Sequence, residues 1–416
     1  MAHDAPSAQL LLDLRSSLTS AIQSKRPILH HLTADSSWVL SLPVPTPPPT
    51  SSTTSSPRTR FNILIDPWLS GPQVDFHPIF SLQTHATLSA IPTIGALEAL
   101  LRETEILSTS LRLGKDRARS WQSDAHHIDS FVDAIIVSHE FTDHCHKQTL
   151  LQCWKGTPVY ATTKAAKAIK AWDHFERVVE VPEFSVRPQG GKGGAANGER
   201  ERRRDGRVEW RDVCGHLEGL PAWIGVARLV EERRKDLIGA RLHSAVMIVF
   251  ELGDGDESGG KGAEAVVYTP HGIPADSPVV DLLVPPQSQL SSPISFLALL
   301  HGLHEVYVGM PQINLGGFNG AELAKKLGFR YWVRTHDELK DGSGLIGWIL
   351  SRRTIGWREA LGLAGARDQT KTQSGDDDAD GIQIDGLSDE KDSDEKTNED
   401  HLKYLKIGNG ECAVLL

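Results

Sequence analysis

The stretch Asp133–His146, DAIIVSHEFTDHCH, constrains the fold more than any other. Its AIIV run is rich in Ile and Val and has no polar position. A strand of that kind must be covered on both faces, as in sheets sandwiched between helices. The neighbouring sequence alternates accordingly. HKQTLLQCW reads as a helix, PVYATTKAAKAIKAW as a strand and a helix, and RVVEVPEF as another strand. This β-α-β-α-β order predicts an α/β protein.

The remaining segments extend the pattern. Residues 8–24 carry Leu at helical spacing, and ILHHLTADSSWVLSLP alternates like a strand. A Pro/Ser/Thr loop separates it from a second strand, FNILIDPWLSG, which suggests a β-hairpin. Residues 92–118 read as a helix. Strands are expected at PAWIGVARLV, SAVMIVFEL, AEAVVYTP, EVYVGM and RYWVRTH, and helices around SPISFLALLHGL, GAELAKKLG and GLIGWILSRRTIGW. The implied division is an N-terminal helix (1–25) and one domain (26–365) with disordered inserts near 43–60 and 188–207. An acidic disordered segment (366–402) and a returning C-terminal strand (403–416) complete it.

Composition narrows the function classes. An apolar share of 39% supports a sizeable core. The net charge of −10 is matched by Ser374–Asp400 alone, where twelve Asp/Glu face two Lys, so the rest of the chain is close to neutral. No broad basic surface is implied, which argues against nucleic-acid binding. The four cysteines (Cys145, Cys153, Cys214, Cys412) form no CxxC pair and no disulfide framework. With no secretory pattern at the N-terminus and no apolar run near the roughly 20 residues of a membrane span, a reducing, cytoplasmic compartment is expected. Neither a GxGxxG after a strand, a GxxxxGK[ST] nor a GxSxG elbow is present.

The chemistry concentrates where AIIV ends. Divalent ions such as Zn²⁺ take imidazole and carboxylate ligands at about 2.0–2.2 Å. A buried strand followed at once by a helix start presents several of these together. Here the strand end delivers His139, and the following turn delivers Asp143 and His144. The alternative for Asp143 and Thr142 is a plain helix cap.

The motif resembles the metallo-β-lactamase superfamily, whose loop runs His-x-His-x-Asp-His after a buried strand. In this chain it reads His139-Glu140-Phe141-Thr142-Asp143-His144, with Phe141 at the second histidine position. FNILIDPWLSG is similar to the Asp-Pro-Trp turn of the branch that includes ascorbate-6-phosphate lactonases and N-acylphosphatidylethanolamine phospholipase D type enzymes. The resemblance implies a four-layer αββα sandwich with metal at one edge of two sheets. It places His336 (RYWVRTHDE) at the last metal histidine and His271 (VVYTPHGI) where the family carries a bridging aspartate. His216 and His243 are both candidates for the middle histidine, and His243 is preferred because it directly precedes a strand. Asp66 of the Asp-Pro-Trp turn is expected to orient a metal-bound imidazole or close the turn.

The expected centre holds one Zn²⁺, with Fe or Mn as alternatives, through Asp143, His144 and His336, with His271 as a fourth ligand and His139 close by. Asp143 could also accept a proton. The implied activity is hydrolysis of an ester, lactone, amide or phosphodiester of a small molecule by metal-activated water. The competing function, suggested by Phe141 and the missing bridging aspartate, is a catalytically weak member that binds a ligand or a protein. Oligomeric state is left open.

Overall fold

Two sheets face one another, and their facing sides form one apolar layer. The computed structural model describes residues 8–45, 58–75, 77, 79–114, 128–185, 207–215, 217–231, 242–252, 262–287, 290–343, 349–362 and 402–416. Residues 46–57 of the first expected insert lie outside these residues, as do almost all of the second insert and of the acidic segment, and His216.

The first sheet contains β1 (Ile28–His31), β2 (Trp38–Pro43), β3 (Arg60–Ile65), β6 (Ala134–Val137), β7 (Val159–Ala161), β8 (Val178–Glu180) and β19 (Cys412–Val414), in the order β19-β1-β2-β3-β6-β7-β8. From β19 to β3 the pairing is antiparallel, and from β3 to β8 it is parallel. The second sheet contains β9 (Ile224–Val230), β10 (Ser244–Phe250), β11 (Ala263–Thr269), β12 (Ile294–His301), β15 (Tyr331–Val333) and β18 (Lys403–Leu405), in the order β18-β15-β12-β11-β10-β9. It too combines antiparallel strands (β9 to β11) with parallel ones (β11 to β18).

Strand periodicity sorts the side chains into layers. Trp38, Leu40, Ile63 and Ile65 meet Val246, Ile248, Phe250 and Tyr268 between the sheets. The intervening residues Val39 and Leu64 point outward, under α1 (Ala8–Gln23), α2 (Ile94–Leu113) and α4 (Thr163–Lys170). On the far side Ala245, Met247 and Val249 lie under α5 (Trp210–Cys214), α6 (Pro278–Asp281) and α7 (Gly316–Leu327). Each fully buried aliphatic or Phe side chain contributes about 1.5–3 kcal/mol relative to exposure. The result is a four-layer αββα sandwich, as expected.

Helix ends follow local chemistry. Thr93 caps α2, its side chain accepting from the Ala96 amide at 3.0 Å. Gly328 ends α7 in the left-handed conformation. Two small three-stranded sheets flank the sandwich: β4 (Gln73–Val74) and β5 (Leu82–Thr84) with β16 (Asp341–Ser343), and β13 (Glu305–Val308) and β14 (Gln312–Leu315) with β17 (Leu350–Arg353). The remaining helices among the described residues are α3 (Lys147–Leu150) and α8 (Trp357–Leu361).

Three expectations are corrected. ILHHLTADSSWVLSLP is two strands, β1 and β2, joined by a turn at Leu32–Ser37. SPISFLALLHGL is the central strand β12, because a strand buried on both faces has the continuous apolar run of a buried helix. Within GLIGWILSRRTIGW, residues 350–353 form β17, and 344–348 lie outside the described residues. All four cysteines are free thiols. No described helix is long and apolar enough to cross a membrane.

Candidate metal centre

The carboxyl ends of β3, β6, β11 and β15 open at one edge of the sandwich, and each is followed within a few residues by a site side chain: Asp66, His139, His271 and His336. Asp66 (φ +43°) and His336 (φ +56°) are left-handed, a conformation that non-glycine residues adopt at a cost of about 1–3 kcal/mol. It turns each side chain sharply off its strand. The β1–β2 turn stitches the edge together. The Asp35 carbonyl accepts from the His336 amide at 3.0 Å, Ser36 Oγ donates to the Asp143 carbonyl at 3.0 Å, and Ser37 Oγ donates to the Asp66 carbonyl at 2.9 Å.

One ligand atom from each of His144, His271 and His336 lies within 4.8 Å of the others, and all three residues are buried. In every ring Nδ1 is already committed as a donor. His144 Nδ1 donates to Asp66 Oδ2 at 2.7 Å, His271 Nδ1 to Asn314 Oδ1 at 2.8 Å, and His336 Nδ1 to Asp35 Oδ2 at 3.2 Å. In the neutral rings Nε2 is therefore the lone-pair atom. The Nε2 atoms of His144 and His271 face each other at 3.1 Å. Two lone pairs repel at that distance unless a proton or a metal ion lies between them. Tetrahedral ligands at 2.0–2.1 Å sit roughly 3.3 Å apart, so the donor set fits such an ion. Asp143 flanks the trio, Oδ1 3.7 Å from His144 Nε2 and Oδ2 3.8 Å from His336 Nε2.

Burial presses the His144 pKa down, but Asp143 and then Asp66 outweigh it and lift it to about 8. Burial, reinforced by the neighbouring imidazoles, holds His271 and His139 well below the ordinary histidine range. Burial alone would raise Asp143 and Asp35, yet the Lys340 ammonium and the histidines hold both well below the usual carboxylate range. Lys340 Nζ lies 2.9 Å from Asp35 Oδ2 and 3.0 Å from Asp143 Oδ2, and 5.1 Å from the centre of the Trp68 ring.

The other expected residues take definite places. His139 is buried beside the trio, its ring centre 4.9 Å from that of His271, with Nε2 lacking a hydrogen-bond partner. His243 is buried just before β10 and belongs to neither of the two groups of convergent ligand atoms among the described residues. The Phe141 ring stands half-buried, 6.5 Å from His139, and its carbonyl accepts from the His144 and Cys145 amides. His146 is buried at the start of α3, where Nδ1 meets Thr149 Oγ1 at 2.8 Å. Asp66 also accepts from the Ser138 amide and hydroxyl. Sequence reasoning missed Asp35, Asn314 and Lys340. The only available signals were an Asp in a Ser-rich turn and a Lys four residues after His336.

A cavity of about 220 Å³ adjoins His139, lined by Ser138, Thr162, Lys164, Arg228 and Ser244. A larger one of about 750 Å³, lined by Ile294, Phe296, Phe329 and Tyr331, lies where β12 and β15 begin, away from the histidines.

No family model and no curated protein matches the chain. Solved structures with a similar arrangement include a possible metal-dependent hydrolase from Veillonella parvula (13% identity, 75% of this chain and 85% of that chain, TM-score 0.37). An isothiocyanate hydrolase from Delia radicum gut bacteria is similar at 13% identity, covering 74% of this chain and 84% of its own, with a TM-score of 0.39. A metallo-beta-lactamase fold protein from Bacillus subtilis is similar at 11% identity, 74% and 86% coverage and a TM-score of 0.31.

Proposed function

We propose that this chain is a metal-dependent hydrolase with one divalent ion held by His144, His271 and His336, and by Asp143 beside them. One observation carries it: three buried imidazoles have every Nδ1 held as a donor and their remaining nitrogens converging. Hydrogen bonding of Nδ1 to a carboxylate or carbonyl is how proteins hold a ligating histidine in one tautomer. Three imidazoles and a carboxylate suit zinc, and also iron or manganese. When bound, such an ion would lower the pKa of a coordinated water from 15.7 to about 7 and polarise the bond to be cleaved.

The chain's own groups supply the rest. Asp143 is held ionised beside the trio, where it can ligate the ion and orient the attacking water by accepting its hydrogen bond. Asp66, Asn314 and Asp35 hold the rings in orientation. The small cavity beside His139 suits a small ester, lactone, amide or phosphodiester. The Asp66-Pro67-Trp68 turn adds the lactonase and phospholipase D-like branch as the first substrate panel to try. A second reading, a ligand-binding module with little turnover, is favoured by Phe141, which cannot ligate.

Metal analysis of purified protein with a hydrolysis panel tests both. One ion per chain, and turnover abolished in Asp143→Asn, is the expected result. A chain without stoichiometric metal overturns the hydrolase reading, whereas one ion with no turnover on any ester, lactone, amide or phosphodiester favours the binding module.

A further inference from the structure

Among the described residues two groups of buried potential ligands, not one, lie at this edge, and they share a residue. The first is His144, His271 and His336; the second is Asp35, Asp143 and His336, whose ligand atoms also lie within 4.8 Å of one another. The second group already holds a cation. Lys340 Nζ sits between its two carboxylates, 2.9 Å from Asp35 Oδ2 and 3.0 Å from Asp143 Oδ2. His336 Nδ1 lies 3.2 Å from the same Asp35 oxygen.

We infer that Asp35 and Asp143, beside His336, form a latent second divalent-cation site whose place is taken by the Lys340 ammonium. The inference deepens the proposed function and rests on it for the ion in the first group. Two adjacent buried carboxylates require a positive counter-charge, since an uncompensated buried charge is strongly destabilising. Lys340 supplies one charge to two carboxylates, and Asp35 Oδ1 remains buried without a hydrogen-bond partner. A carboxylate oxygen left over in this way is what a further cation would use. A divalent ion binds carboxylate oxygens at 2.0–2.2 Å, so contraction of each contact by about 0.8 Å would exchange the ammonium for a metal. The tether explains why one metal would suffice here. The second cation is part of the chain, and neither chelators nor metal scarcity can remove it.

Removing the tethered cation tests this. Wild-type protein and Lys340→Ala are loaded with Mn²⁺, freed of excess, and compared by ions per chain and by electron paramagnetic resonance. One uncoupled ion is expected in wild type, and two ions with a spin-coupled spectrum in Lys340→Ala. Asp35→Asn combined with Lys340→Ala should return to one ion, and Lys340→Arg should stay at one. Lys340→Ser, which keeps a hydrogen bond to the carboxylates, replaces Lys340→Ala if that variant fails to fold. Two ions in wild type, or one uncoupled ion in both small-residue variants, overturns the inference. A wild type without any ion overturns the proposed function instead. In that case the latent site stands if the Lys340 variant gains an ion and falls if it does not.

Discussion

Asp66 Oδ2 accepts a hydrogen bond from His144 Nδ1 at 2.7 Å, and neither side chain is reached by solvent. The same carboxylate accepts from the Ser138 amide at 2.7 Å, tying the end of β3 to the end of β6. It therefore fixes both the tautomer of His144 and the loop that carries it. Asp66→Asn keeps the shape but presents an amide to the ring, which can leave Nε2 carrying the proton. Metal affinity should fall roughly 10–100-fold, measured by competition with a chromophoric chelator. Wild-type affinity in Asp66→Asn would mean that the tautomer of His144 is irrelevant to binding.

The metal-free protein should have a stability maximum bounded by its histidines. His144 is raised to about 8 in the fold, so its contribution is fully present below its ordinary value of 6.5 and is lost as pH rises through about 8. His139 and His271 are lowered, so the unfolded chain takes up protons that the fold refuses, and stability is lost as pH falls below 6.5. Thermal unfolding in chelator across this range should show both slopes. Below pH 8 metal must displace the His144 proton, so binding should release protons and tighten as pH rises. Tighter metal binding at low pH would contradict the ligand role of His144.

How much of this was visible in the sequence depends on where each residue stands. His139, Asp143 and His144 follow an apolar strand in a recognisable register, and His271 and His336 each follow another strand. Asp35 was hidden because its turn was read through as part of one strand, although Thr33–Ser37 is where β1 reverses into β2. Lys340 follows no strand pattern and belongs to no motif. Its meaning comes from meeting two carboxylates far away in the chain. The central strand β12 was misread for a different reason. Burial on both faces erases the period-two signal that identifies half-exposed strands.

Phe141 stands where a ligating histidine was expected, and its backbone shapes the turn whatever its side chain. Phe141→His should therefore fold and place a second imidazole near His139. It is expected to take up metal beyond the wild-type amount, and adding His139→Leu should abolish the gain. In the wild-type background His139→Leu should keep the metal content unchanged. It should not lower the melting temperature, because it removes a buried nitrogen without a partner, a feature worth about 1–3 kcal/mol. Loss of the native ion in His139→Leu would place His139 among the ligands.

Gly272 tests whether the backbone next to His271 sets the site. Its φ is +86°, and a Cβ there would meet Leu315 Cβ at 2.9 Å and His301 Nε2 at 3.0 Å. The segment is pinned on both sides, with the Gly272 amide donating to the Thr269 carbonyl at 3.2 Å and the Leu315 amide donating to the His271 carbonyl at 3.0 Å. Gly272→Ala must either strain this turn or push the β14 end away, and Asn314, which holds His271 Nδ1, lies on that strand. A stability loss of about 1–3 kcal/mol is expected, together with weaker metal binding. Gly328→Ala is the control. It too is left-handed, at φ +70°, but a Cβ there meets nothing within 4 Å, and it ends α7. It should lower the melting temperature without changing metal affinity. Equal effects of the two substitutions on metal binding would mean that the turn at Gly272 does not position His271.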